Sequence, residues 1–220
     1  MTAADDVAAL FPCTERVLSD VFARALERAR ESVPRQPDAR GGADAVLRGV
    51  TEVLLAACAR EPDVPAFAAD VVAYEAALAA LAASDGAAAD ARAFAEHNAT
   101  LVPPGAGDLA LVFPVTGKHV RVERFGCDVA ALAEAIESCD RIEPLLSGGP
   151  CAVLFAVSDR ARAVRRFRIG ESVRALVEAC DGTRDAAAIA AAAGEPAEAV
   201  LAALEALRAH DIVTYREGAR

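Results

Sequence analysis

The sequence has no tryptophan, only two tyrosines (Tyr74 and Tyr215) and a single methionine. Large aromatic anchors are scarce, and alanine carries much of the apolar fraction, in runs such as Ala87-Ala88-Ala89 and Ala190 to Ala193. Such a chain is expected to bury its core largely as helix packed on helix through small side chains. At 220 residues it is long enough to do so without disulfides or metals. Long apolar runs are also missing. The most apolar helical stretch, Phe67 to Ala83, is interrupted by Asp70 and Glu75, and no run reaches the roughly 20 residues of a membrane span. The opening Met1-Thr2-Ala3-Ala4-Asp5-Asp6 is acidic where a secretory signal is basic. A cytoplasmic location without membrane contact is expected. Positive charge is in deficit, with a formal net charge of −10, which argues against a generic nucleic-acid binder.

Several kinds of chemistry lack their residues. The six cysteines, Cys13, Cys58, Cys127, Cys139, Cys151 and Cys180, contain no C-x-x-C pair and have no histidine at ligand spacing. Each falls among apolar neighbours, so all are expected to be reduced, buried core thiols. The three histidines, His97, His119 and His210, are scattered, with none of the clustered His, Asp and Glu that iron requires. There is no nucleophile elbow, P-loop or dinucleotide fingerprint. We expect no catalytic residue, no metal site and no cofactor in this chain.

What is present is first helical, then mixed. Val17, Val21, Phe22 and Leu26 mark one helix face, and Val46, Val50, Val53, Leu54 and Ala57 another. Between them, Pro34 to Gly42 combines two prolines with a glycine pair and is expected to be a surface loop. After the break Glu61-Pro62-Asp63-Val64-Pro65, a helix is predicted from Ala66 to Ala83, ended by Ser84-Asp85-Gly86. Leu109, Leu111, Phe113 and Val115 then alternate, Thr116-Gly117-Lys118 supplies a turn, and Val120 and Val122 alternate again, which predicts a hairpin with Pro114 on an edge strand or bulge. A short helix capped by Asp128 follows, with Val129, Leu132 and Ile136 inward. Strands are predicted at Cys151 to Val157 and Ala163 to Ile169, joined by a polar turn from Ser158 to Arg162. Three helices follow: one with Val173, Leu176 and Val177 inward, one capped by Thr183, and one from Pro196 with Val200, Leu204 and Leu207 inward, before a final docking pair, Ile212-Val213. The fold class is α+β. An N-terminal helical bundle is expected over residues 1–99, and a winged helix-turn-helix-like domain with short antiparallel strands over 100–220.

The segment from Val173 to Asp185, continuing through Ala188-Ile189-Ala190 to Val200, Leu204 and Asp211-Ile212-Val213, resembles leader-peptide recognition elements. These are winged-helix modules, similar to the small chaperone of pyrroloquinoline quinone biosynthesis, that bind precursors of ribosomally synthesised, post-translationally modified peptides. More of the chain resembles one set of such proteins, the partners of multinuclear non-heme iron-dependent oxidative enzymes (MNIO). The stretches that carry this likeness are the proline-led helix Val64 to Glu75, with its core Asp70 to Tyr74-Glu75, and Val120 to Leu132, a strand running into a helix. With the strand pair leading into Glu171 to Leu176, the likeness spans Val64 to Val213. Many relatives carry an arginine- and asparagine-rich helix before a Phe-Pro pair near the N-terminus; here Phe11-Pro12 stands without it.

The resemblance implies a non-catalytic subunit that forms a heterodimer with an iron-dependent TIM-barrel enzyme and presents a precursor peptide to it, the iron belonging to the enzyme. The first 99 residues are then the candidate for enzyme docking. The resemblance also implies that the leader lies between the strand Ala163 to Ile169 and the helix from Pro196, which makes Val164, Arg165, Arg166, Phe167, Arg168, Leu201, Glu205 and Arg208 the candidate peptide-binding residues. Strand addition gives this a physical basis, because backbone bonds supply affinity and side-chain pockets specificity. Arg160, Arg162, Arg165, Arg166, Arg168 and Arg174 outnumber Asp159 and Glu171 there, so an acidic leader is the expected complement; the bland alternative is a solvated strand face. A recognition partner of another enzyme class is a further alternative. So is a winged-helix DNA-binding transcriptional regulator, but its recognition helix would begin Glu195-Pro196-Ala197-Glu198-Ala199, with acid and alanine where base edges call for Arg, Lys, Asn or Gln.

Overall fold

The computed structural model describes residues 3–32, 42–158 and 163–217. The loop expected from Pro34 to Gly42 lies outside the described residues up to its last glycine, as does most of the turn from Ser158 to Arg162. In chain order the elements are α1 (Ala3–Ala8), α2 (Pro12–Leu18), α3 (Asp20–Ser32), α4 (Gly42–Arg60), α5 (Ala68–Ala82) and α6 (Asp85–Thr100). A 3-10 turn (Ala106–Leu111) leads to β1 (Val112–Thr116), β2 (Val120–Phe125), α7 (Val129–Ser138), α8 (Glu143–Leu146), β3 (Cys151–Ser158) and β4 (Ala163–Ile169). The chain ends with α9 (Glu171–Ala179), α10 (Ala186–Ala193), α11 (Ala197–Arg208) and β5 (Val213–Glu217). The fold is mixed α+β, mostly helical, with small antiparallel sheets. Among the described residues no single helix is long and apolar enough to cross a membrane.

The chain forms two compact units. The first contains α1–α5, α7 and α8; the second contains α6, β1, β4, β5 and α9–α11, and the change from one to the other falls inside β2 and β3. Helix α6 groups with the second unit and residues 123–153 with the first. Ser84 explains part of this. It follows α5, as expected of a stop, but its hydroxyl accepts from the Ala87 amide at 3.1 Å and so also starts α6.

In the first unit, Phe11, Leu18, Phe22, Val46, Val50, Leu54 and Val72 share one core. Helix α5 is apolar nearly all round and carries two inward acids. The buried Glu75 carboxylate accepts from the amides of Cys13 (2.7 Å) and Thr14 (2.9 Å) and from the Thr14 hydroxyl (2.7 Å), filling the orphan donors at the start of α2. Asp70 accepts from the Gly126 amide at 2.7 Å, fixing the turn between β2 and α7, where a Cβ on Gly126 would lie 3.1 Å from the carboxylate. Tyr74 meets Phe125 edge-on at 6.1 Å. Asp128 caps α7 as predicted, and Val129, Leu132 and Ile136 are buried.

In the second unit, the hairpin expected from Leu109 to Val122 is not formed. Leu109 and Leu111 belong to the 3-10 turn, β1 pairs antiparallel with β5 from Val112 opposite Glu217 to Thr116 opposite Val213, and β2 joins β3 and β4 in a separate sheet of order β2-β3-β4. Local alternation identified β1 as a strand but could not identify its partner, which lies about a hundred residues on. Pro114 sits in a two-stranded sheet, where an edge position needs no amide hydrogen, and its carbonyl accepts from Gly182 at 3.0 Å. Helix α10 is capped by Asp185, which accepts from Ala188 at 2.6 Å; Thr183, the expected cap, instead bonds the Asp181 carboxylate. Gly194, with φ of 67°, ends α10 in the left-handed region and allows the sharp entry to α11. Leu154, Val177, Ile189, Val200, Leu204 and Val213 form the core here.

The cysteines divide. Cys13, Cys127, Cys151 and Cys180 are buried and Cys58 is half-buried, whereas Cys139, expected inside, is exposed at the left-handed C-cap of α7 with φ of 58°. Burial pushes the thiols of Cys13, Cys127 and Cys180 up to about 12, with the Glu75 and Asp70 carboxylates adding to the effect at Cys13 and Cys127. Such burial disfavours the thiolate at all three.

Candidate functional site

Strand β4 is an edge strand, the last in the order β2-β3-β4. Its alternation places Arg165, Phe167 and Ile169 on one face and Val164, Arg166 and Arg168 on the other. Phe167 and Ile169 pack against the core of the second unit, as does Leu201 of α11, while Arg166 and Arg168 are exposed. Arg160 and Arg162 lie outside the described residues.

Arg165 is anchored to the end of α11. Its Nη2 donates to the His210 carbonyl at 2.6 Å and its guanidinium lies over the Phe167 ring at 5.7 Å, while the Phe167 and His210 rings are 5.4 Å apart. The Arg165 Nε is buried without a hydrogen-bond partner among the described residues. The structure therefore joins Arg165 and Phe167 to the end of α11 through His210. Sequence reasoning did not place His210 in the site; a histidine just past a helix C-terminus gave no sign that a strand about forty residues earlier would bond its carbonyl.

Glu205 and Arg208 serve another purpose. They pair at 2.8 Å, the Tyr215 hydroxyl donates to Glu205 at 2.7 Å, and Arg208 Nη1 donates to the Asn98 carbonyl at 3.2 Å. Burial pushes the Glu205 carboxyl up, but the hydrogen bonds from Arg208 and Tyr215 outweigh it and hold the group below its usual range. Tyr215 moves the other way, raised by burial and then by the neighbouring carboxylate. These side chains tie α11 to α6 and β5. Glu205 and Arg208 are thus both engaged within the second unit.

Asn98 and His119 complete this scaffold. The buried Asn98 amide donates to the Val213 carbonyl (3.1 Å) and the Asp211 carboxylate (3.2 Å), and its oxygen accepts from the Thr214 hydroxyl at 2.7 Å. His119 is fully buried, with Nε2 2.7 Å from the Asp211 carbonyl and its ring edge-on to Phe94 at 4.6 Å. The carbonyl accepts only, so Nε2 carries the hydrogen and Nδ1 is a bare acceptor with no partner among the described residues. The His210 and Asp211 carbonyls of one turn are thus gripped by Arg165 and His119.

Burial pushes the His119 pKa down, against the pull of the Asp211 carbonyl and the Asp90 and Asp211 carboxylates. A depressed folded value means that the unfolded chain binds the proton more tightly. The stability from neutral His119 is then complete above the ordinary histidine range near 6.5 and declines as pH falls through it. Lowering the pH from about 7.5 to about 5.5 should therefore reduce the urea midpoint, and His119→Gln should flatten that component of the decline. An identical pH slope in the variant would exclude the assignment.

Among the described residues no group of three or more His, Cys, Asp or Glu side chains converges as a metal site. The site comprises an edge strand with arginines on both faces, a stacked Arg165–Phe167–His210 corner and a polar scaffold behind α11. No protein-family model and no curated protein matches this sequence.

Proposed function

We propose that this chain is a non-catalytic partner subunit that binds the leader of a ribosomally made precursor peptide along β4 and presents it to an iron-dependent TIM-barrel oxidative enzyme. The observation that carries this is the edge position of β4, whose sequence bears Arg165, Arg166 and Arg168 and runs directly into the three helices α9–α11. An incoming extended segment completes an edge by backbone hydrogen bonding, and arginines along that edge favour acidic residues in the segment. The winged-helix character of α9–α11 with the β2-β3-β4 sheet belongs to the same proposal, as does a cytoplasmic setting.

The charges act mainly on encounter and register. Each exposed pair contributes roughly 0.2 to 1 kcal/mol, so the double variant Arg166→Glu, Arg168→Glu, which adds repulsion, is expected to weaken leader binding about tenfold or more. Calorimetric titration with an acidic precursor leader peptide measures this, with a thermal melt to show that the fold is retained. Co-expression with an iron-dependent TIM-barrel enzyme of this class from the same source should yield a co-purifying complex. Two well-folded proteins that elute separately, or equal leader affinity in the double variant, would count against the proposal.

A further inference from the structure

A second concave surface lies in the same unit, among α9, α10 and α11. It is a cleft of about 630 Å³ whose base is formed by the buried Ile189 and Val200. It stays open because the positions that would close it are alanines, among them Ala175 on α9, Ala192 on α10 and Ala199 on α11, all exposed. Leucine at these places would fill the space between the helices. The volume is that of a ligand-sized pocket, and the walls are apolar.

The charge around it has a definite sign. Between Glu171 and Val200 the sequence carries six carboxylates, those of Glu171, Glu178, Asp181, Asp185, Glu195 and Glu198, against the two guanidiniums of Arg174 and Arg184. Glu178 and Glu195 lie at the cleft itself with Arg184, and Arg174 is engaged by both Glu171 and Glu178. This is opposite in sign to β4, where the described charged side chains are all arginines. One small unit thus offers a basic strand and an alanine-walled cleft within a carboxylate-rich segment, with Glu195 at the cleft.

We propose that the cleft docks a basic amphipathic helix of a partner protein, which seats large apolar side chains over Ile189 and Val200 and places lysines or arginines against Glu178 and Glu195. Small wall residues admit the large side chains of an incoming helix, the usual helix-in-groove arrangement, and the acidic rim selects a basic one. The proposal does not depend on leader binding at β4.

The test uses the full chain and two fluorescein-labelled model peptides about 15 residues long, long enough for an isolated helix to be populated. One is built of leucine and lysine at helical spacing and the other of leucine and glutamate, with binding read by anisotropy. The lysine peptide should bind at least about tenfold more tightly than the glutamate peptide. Ala199→Leu, or Ala192→Leu across the cleft, should weaken it about tenfold by occupying the space, with thermal melts to confirm folding. Glu195→Lys should weaken it several-fold, whereas Glu52→Lys on α4 should not. No binding of the lysine peptide overturns the proposal. So does a loss in Glu52→Lys equal to that in Glu195→Lys, which would mark general attraction to an acidic protein, or folded leucine variants that bind undiminished.

Discussion

Glu75→Ala is expected to destabilise the first unit by on the order of 3–5 kcal/mol, the sum of leaving several buried donors without an acceptor. The substitution strands the Cys13 and Thr14 amides and the Thr14 hydroxyl, which all end on this carboxylate in a setting where Glu75 is only 4% exposed. Each donor left unpaired in the interior costs about 1–3 kcal/mol. Thr14→Val removes one of the three bonds and should cost less, while Glu75→Gln keeps one acceptor but turns an NH2 group towards a donor, so it should fall between. In a Tyr215→Phe background Tyr74 is the only tyrosine, and the chain has no tryptophan, so tyrosine emission during urea unfolding reports this unit. A loss below about 1 kcal/mol, the net worth of one ordinary hydrogen bond, would show that α2 does not depend on Glu75.

The pH dependence of the same group has a defined sign. Burial pushes the Glu75 carboxyl up, and the hydrogen bonds from Thr14 and Cys13 oppose this without cancelling it. A raised folded value means that the folded unit holds the proton more tightly than the unfolded chain. The contribution is therefore full below the ordinary carboxylate range and is lost as pH rises through the raised value. This is the reverse of the His119 effect, and the two are separated by their variants.

Helix phasing and caps were legible in the sequence where they are local. The acidic cap Asp128, the inward stripe Val129, Leu132 and Ile136, and the pairs Val200 with Leu204 and Val173 with Leu176 depend only on near neighbours. Strand pairing was not. Val112 to Thr116 alternates as a strand does whether its partner follows a turn or lies at Val213 to Glu217, and the nearer partner was the natural inference. Helix α6 was missed because its residues Ala87-Ala88-Ala89 and Asp90 offer little apolar periodicity. Its role lies in single polar side chains, Asn98 to β5 and Asp90 to the Lys118 amide at 2.6 Å. For the candidate site, sequence placed the arginines on one short strand. It could not show that Glu205 and Arg208 bond Tyr215 and Asn98, because those partners are about ten and a hundred residues away.

Asn98 is therefore the position where one atom's change should matter most in the second unit. Asn98→Asp replaces a donor that serves the Val213 carbonyl and the Asp211 carboxylate with an acceptor facing both. Two carboxylates would then meet in a setting that is largely closed to water, and the cost at neutral pH should be about 3–5 kcal/mol. Asn98→Ala, which only deletes the bonds and leaves the Thr214 hydroxyl and Val213 carbonyl without their partner, should cost about 2–3 kcal/mol. The order of the two should depend on pH. Protonation restores a donor to the aspartate, so its deficit relative to alanine should shrink as the pH falls towards about 4. In a Tyr74→Phe background Tyr215 is the only tyrosine and reports this unit during urea unfolding. An Asn98→Asp variant no less stable than Asn98→Ala at neutral pH would mean that the Asn98 amide does not hold the Asp211 turn, and the grip on α11 and β5 behind the candidate site would have to come from Arg208, Glu205 and Tyr215 alone.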